Sequence, residues 1–276
     1  MHTRVAPTPS GYLHAGNGAA FVLAWKLARE AGGKLLLRID DLDAERVRPE
    51  YVDDIFETLQ WLGLDWDEGP RNAEELRSTW SQHLRLVRYG ELVEQLRESG
   101  HLYACTCSRK EVQDRTGSGD YDGHCQSMGL PFDHPDCSWR LELPRNGKMV
   151  WRAWPDGKLH EAALDMPDPV IRQRNGRPAY QIASLADDVG FGIDVVVRGA
   201  DLLNSTAIQL HLAGLLGLEA FRRALFLHHP LVLDVSGAKR SKSHGADSLL
   251  AARKAGEYPL EIHRLADKLL REALEQ

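Results

Sequence analysis

The stretch RVAPTPSGYLHAGNGAAFVLAWKLAREAGGKLLLRID, Arg4 to Asp40, carries the clearest alternation of helix and strand signals in the chain. Residues 16–32 are small and apolar with helical continuity, and the pair Gly32-Gly33 ends them. KLLLRID, 34–40, then reads as a buried parallel strand that finishes in acidic residues. Ahead of the helix, Pro7, Pro9 and Gly11 stiffen a loop between Arg4 and His14. A helix start exposes backbone N–H groups and binds anions, so a histidine placed there can touch a phosphate.

Outward from this unit the pattern continues. Residues 49–63 and 73–99 read as helices, each closing near a glycine. From Thr106 to about Asp165 it breaks into Gly, Asp, Pro and Cys with short pieces of strand such as WRLELP and KMVWRAW, the mark of an insertion. Beyond Ala179 the alternation resumes: GIDVVVRG as strand, LNSTAIQLHLAGLLG as helix, ALFLHHPLVL as strand. A last helix carries one apolar stripe of Ile262, Leu265, Ala266, Leu269 and Ala273. Strands alternating with helices predict an α/β fold with a doubly wound parallel sheet, whose ligands sit at the carboxyl ends of the strands. The Arg4 loop and Asp40 would both lie there.

Composition bounds the rest. A chain of 276 residues with 43% apolar and 27% charged residues is an ordinary globule, expected in the cytosol because neither a membrane span nor the order of a signal peptide is visible. Four cysteines, two of them at 105 and 107, are too few and too close for a disulfide framework and favour metal binding. A net charge of −6 leaves nucleic acid to be held by local basic patches. Two common nucleotide motifs fail. GNGAAF, 16–21, puts Phe21 where a dinucleotide fold needs a small residue, and GAKRSKS, 237–243, lacks the second glycine of a phosphate loop.

What remains is a pair of distant loops, His14-Ala15-Gly16-Asn17 at the first helix and Lys239-Arg240-Ser241-Lys242-Ser243 late in the chain. The pair resembles the HIGH and KMSKS signatures of class I aminoacyl-tRNA synthetases. RVAPTPSGYLHAGN, LLLRIDDLD, the Cys-x-Cys segment with YDGHC, AYQIASLADD, VVRGADLL and GAKRSKS stand in the order found in glutamyl-tRNA synthetases, over nearly the whole chain. The resemblance implies a Rossmann-like catalytic domain that joins glutamate to the α-phosphate of ATP, with Mg²⁺, and expels pyrophosphate. His14, Lys239 and Lys242 would be catalytic, and His14, Gly16, Asn17 and Lys242 would hold ATP, since negative charge gathers on the phosphates in the transition state. Arg4, Tyr180 and Arg198 match the family's carboxylate ligands, and Ser10 and Asp40 the groups around the ammonium. Arginine forks would reject the neutral amide of glutamine. The chain departs from the pattern in having Asp40 where the bacterial glutamate enzymes usually have glutamate and related glutaminyl enzymes aspartate, Asn17 for a histidine, and Arg240 for a methionine.

The inserted part resembles the zinc site of one branch of the family: Cys105, Cys107 and Cys125, with Tyr121 as fourth ligand. The residues alone favour His124 or Cys137 in that place, because imidazole and thiolate are the ordinary zinc ligands. The expected organisation is therefore 1–104 as the first half of the catalytic domain, 105–165 as a zinc-binding, RNA-contacting subdomain, and 166–276 as the second half with the KMSKS-like loop. About 33 residues follow Ser243, so no anticodon-binding domain is expected. That resembles a truncated branch of the family whose members transfer glutamate to queuosine at the wobble position of tRNA(Asp). The partners implied are glutamate, ATP and the anticodon stem-loop, with the protein a monomer. Arg109, Lys110, Arg222, Arg223 and Arg253 are the candidate RNA contacts. The competing readings are a conventional glutamate or glutamine ligase that charges a 3′ end, and a non-catalytic RNA-binding paralogue.

Overall fold

Strand β1 (His2–Val5), helix α1 (Ala15–Glu30) and strand β2 (Lys34–Leu37) form a βαβ unit in which the strands pair in parallel, His2 opposite Lys34 and Val5 opposite Leu37. This is a computed structural model, and it describes residues 1–164, 166–232 and 248–275. Because α1 is apolar nearly all round, it is buried, with Ala19, Val22, Leu23, Leu27 and Ala28 inside. It is approached closely at Gly18, where a Cβ would come within 2.8 Å of Leu249 Cδ1 and 3.1 Å of Ile262 Cγ2. Those two side chains come from α9 (Leu249–Lys254) and α10 (Leu260–Leu274), which cover α1 from outside. The stripe expected on the last helix does this packing: Ile262, Ala266 and Leu269 are buried and Leu265 and Ala273 lie against the same core.

The second half repeats the scheme. After α6 (Tyr180–Gly190), strand β8 (Val195–Gly199) is followed by α7 (Leu203–Leu215), α8 (Glu219–Arg222) and β9 (Leu225–His229), which pairs with β8 in parallel. The two halves meet where Asp194 donates its N–H to the His2 carbonyl at 3.0 Å. Alternation along the strands makes the sheet two-faced. Leu35, Leu37, Val195, Val197 and Leu227 join the core around α1, whereas Leu36, Val196 and Phe226 join a core with α6 and α7 on the other side. The doubly wound parallel arrangement expected from the sequence is present, with β2 paired only to Leu37 rather than along all of 34–40.

Two segments differ from expectation. Residues 73–99 are broken after α3 (Ala73–Glu75) and a π turn over Leu76–Trp80, and resume through a 3₁₀ turn over Gln82–Arg85 into α4 (Leu86–Glu98). The break is at Ser81, whose ψ of 138° is extended. Its hydroxyl donates to Asp41 at 2.6 Å and the next N–H, of Gln82, donates to the other oxygen at 2.8 Å, so long-range hydrogen bonds override helix propensity. The earlier helix α2 (Pro49–Trp61) forms as expected, with proline in its first turn.

Within the stretch expected as an insertion, strands go to two different sheets. β3 (Leu102–Cys105), β4 (Ser138–Leu141) and β7 (Val170–Arg172) form an antiparallel sheet of their own, with α5 (Arg109–Thr116) between β3 and β4. The hairpin of β5 (Lys148–Ala153) and β6 (Leu159–Ala163) instead extends the main sheet, β5 pairing in parallel with β9 at Arg152 opposite Leu225. Among the described residues no helix is long and apolar enough to cross a membrane.

Candidate functional site

A cleft of about 580 Å³ opens at the carboxyl ends of β1, β8 and β9 and at the start of α1. Arg4, His14, Gly16, Asn17, Asp40, Tyr180 and Arg198, expected from the sequence to share a site, all line it. Ser10 is half-buried and is not among the lining residues. Lys239 and Lys242 lie outside the described residues.

At one end the cleft meets the start of α1. His14 is the N-cap: its Nδ1 accepts from the N–H groups of Gly16 at 3.1 Å and Asn17 at 3.4 Å. The Asn17 side chain closes the box by accepting from the His14 N–H at 3.2 Å. A neutral imidazole that accepts at Nδ1 carries its hydrogen on Nε2, so the same ring that caps the helix is a donor at its other nitrogen. Gly16 is needed beside it, because a Cβ would press within 3.1 Å of the ring.

The other end is a buried array of charges. Asp188 Oδ1 accepts from Arg4 Nε at 2.9 Å and from Arg38 Nη1 at 2.7 Å. Arg38 also forks onto Asp40, Nε to Oδ1 at 2.6 Å and Nη2 to Oδ2 at 3.1 Å. Gln82, brought in by the break at Ser81, donates to Asp187 at 2.9 Å and reaches Asp40 at 3.5 Å. Asp187 is closed from behind by Arg85 and by the Tyr89 hydroxyl at 2.6 Å. Burial pushes the Asp40 carboxyl up, and the facing Arg38 opposes that shift.

Arg198 stands apart in this array. It is 5% exposed; Nη1 donates to Gln209 at 2.9 Å, while Nε and Nη2 meet no acceptor among the described residues. Burial, aided by the like charges of Arg4 and Arg38, pushes its guanidinium down to about 10. Around the cleft, Arg4 and Arg38 are paired with Asp188 and Asp40, with Asp187 also near Arg38, whereas the Arg198 guanidinium has no carboxylate among its hydrogen-bond partners in the described residues. A buried guanidinium with unused N–H donors is the chemistry of a carboxylate site. Sequence reasoning assigned no role to Arg38, Gln82, Asp187 or Asp188. The last two stand in the AYQIASLADD segment, which was the available signal.

Away from the cleft, the sulfurs of Cys105, Cys107 and Cys125 lie within 4.8 Å of one another, Cys107 and Cys125 at 3.5 Å. Tyr121 is buried in the same cluster as Cys105 and Cys125, and its hydroxyl accepts from the Cys125 N–H at 2.8 Å. The alternatives are not there. Cys137 packs in another core with its thiol donating to the Phe132 carbonyl, and His124 is exposed. Burial and the two neighbouring thiols push Cys107 up to about 12, so the cluster favours a cation at its centre.

Of the candidate RNA contacts, Arg109, Lys110, Arg222 and Arg223 are exposed. Arg253 is a structural cation instead, bonded to Asp54 at 2.6 Å and Glu57 at 2.8 Å with its side chain 12% exposed.

Residues 1–265 match the family described as tRNA synthetases class I (E and Q), catalytic domain. The glutamyl-Q tRNA(Asp) synthetase of Nitratidesulfovibrio vulgaris is 40% identical over 271 residues, which span 92% of this chain and 81% of that protein. Glutamate–tRNA ligase 1 of Nitrosococcus oceani is 35% identical over 94% of this chain, which spans only 54% of the ligase. Among solved structures, the glutamate-tRNA synthetase of Elizabethkingia anophelis superposes with a TM-score of 0.73 at 25% identity, covering 88% of this chain and 52% of that one.

Proposed function

The chain belongs to the class I tRNA synthetases of the glutamate and glutamine branch, and on that premise we propose that it activates glutamate with ATP and Mg²⁺ and passes it to queuosine at the wobble position of tRNA(Asp). The observation that carries the amino-acid part is Arg198, whose two buried, unused donors face a cleft already holding Arg4. Glutamate brings two carboxylates and one ammonium, and a carboxylate would satisfy the unused donors of Arg198. Arg4, Tyr180 and Arg198 would take the carboxylates, and Asp40, held by Arg38, would take the ammonium.

In the first step the glutamate α-carboxylate oxygen attacks the α-phosphorus and the bond to pyrophosphate breaks. The Nε2–H of His14 and the N–H groups at the start of α1 are suited to hold phosphate oxygens as charge builds, with Lys239 and Lys242 supplying further cations. In the second step a hydroxyl of the queuosine cyclopentene ring attacks the activated carbonyl, and AMP leaves with the bonding pair. The choice of tRNA(Asp) rests on the greater identity to the glutamyl-Q enzyme, 40% against 35% for the ligase. For the cysteine cluster, zinc held by Cys105, Cys107, Cys125 and Tyr121 fits the donor set; it would tie the end of β3 to the loop after α5 and take no part in the chemistry.

Purified protein with glutamate is expected to exchange labelled pyrophosphate into ATP without tRNA, and Lys242→Ala to slow the exchange at least about a hundredfold. Labelled glutamate should then stay on a modified base after digestion of tRNA(Asp) to nucleosides. Label that leaves with the 3′-terminal adenosine, or equal acceptance by tRNA lacking queuosine, would make the protein a conventional charging enzyme.

A further inference from the structure

His229 ends β9 on the face of Leu227, toward the core around α1, whereas Arg198 stands on the opposite face with Phe226 and Gln209. On that face, opposite Arg198, His229 is one of the residues that line the cleft, as are Ala20 and Ala24 of α1. It has room because the residue paired with it on β8 is Gly199, where a Cβ would lie 2.5 Å from Asp201 Oδ1. His229 is 5% exposed. Its Nδ1 lies 2.9 Å from the Pro230 carbonyl, which can only accept, so the ring hydrogen is on Nδ1 and Nε2 presents a bare lone pair. That Nε2 is buried and meets no partner among the described residues. Burial also holds the ring's affinity for a second proton below the usual histidine value, against the opposing pull of Pro230 and Asp201.

A buried acceptor without a partner, on a residue that lines a binding cleft, is costly unless a ligand supplies a donor. We propose that His229 is a nucleotide-binding residue whose Nε2 accepts a hydrogen bond from an N–H or O–H of the nucleoside part of ATP. The inference rests on the reading of the cleft as an ATP site. Because the ring is locked as an acceptor, the donor is either the 6-amino group of the base or a ribose hydroxyl.

The test uses glutamate-dependent pyrophosphate exchange with ATP, purine riboside triphosphate, which lacks the 6-amino group, and 2′- and 3′-deoxy-ATP. His229→Leu is expected to raise KM for ATP about three- to tenfold, the worth of one neutral hydrogen bond, with KM for glutamate unchanged. His229→Gln, which restores an acceptor oxygen near the same place, should recover most of the loss. One analogue should be as poor with the native protein as ATP is with His229→Leu, and no poorer with the variant, which identifies the donor. An unchanged KM for ATP in His229→Leu, an equal loss in His229→Gln, or additive losses for every analogue would overturn the assignment. If the native protein shows no glutamate-dependent exchange, the functional reading fails instead, and equilibrium dialysis of ATP against the same variants still decides the role of His229.

Discussion

In the cleft, Asp40 and Asp188 are buried against Arg38, each carboxylate meeting a guanidinium fork or a pair of N–H donors. In the cysteine cluster, three sulfurs are gathered within 4.8 Å, with Arg115 touching Cys107 and Arg140 touching Cys105 as the neighbouring cations. The first region pairs most of its charges within its own chain, with Arg198 Nε and Nη2 and Asp188 Oδ2 left without partners among the described residues. The second holds Cys107 toward protonation in a group of three sulfurs that could hold a metal ion. The contrast teaches where each region should be sensitive: the cleft to loss of an internal partner, the cluster to loss of metal.

The largest effect is expected from Arg38→Met. It would leave Asp40 without its fork and Asp188 with Arg4 alone, and breaking such a buried pair costs about 3–5 kcal/mol. Urea unfolding measures this, and a loss under about 1 kcal/mol would mean that the cleft does not depend on its internal pairs. Next comes the cluster. Protein purified without added zinc should hold about one zinc per chain, and Cys107→Ser should hold none. Cys137→Ser is the paired control and should keep full zinc, because that thiol bonds the Phe132 carbonyl elsewhere. If Cys137→Ser loses the metal, or Tyr121→Phe keeps full affinity, the proposed ligand set is wrong.

The most gradual effect is set by pH and belongs to the cleft half. His228 lies under Phe226 and Trp151, with Nε2 2.7 Å from Thr206 Oγ1. Burial, with Arg198 nearby, pushes it from 6.5 down to about 3. The folded state thus binds fewer protons than the unfolded one between these values. Its contribution is complete above about 6.5 and falls with the pH toward about 3, at up to about 1.4 kcal/mol per pH unit. His228→Gln should flatten the stability profile in that window by about one proton. The slope should survive removal of zinc; if it vanishes with the metal, the acid sensitivity lies in the cluster and the two regions are coupled.

The βαβ start, the acids at the end of β2 and the cysteine trio were legible because each is a local signal: a helical run with a glycine stop, an apolar strand, a short spacing of one residue type. From these the sequence alone determined the layered α/β architecture and set the Arg4 loop and Asp40 at the carboxyl ends of the strands, while the family resemblance added Tyr180 and Arg198, which line the same cleft. Tertiary structure decided the rest. The break of the helix at Ser81, the docking of β5 on β9, the capture of Arg253 by Asp54 and the forks of Arg38 all join residues far apart in the chain. No periodicity marks such pairs, because their energies arise from burial and from partners that meet only once the sheet has formed. Tyr121 shows the same division: the residue types alone pointed to His124 or Cys137, the family resemblance named Tyr121, and packing sets the tyrosine in the cluster of Cys105 and Cys125 while Cys137 lies in another core.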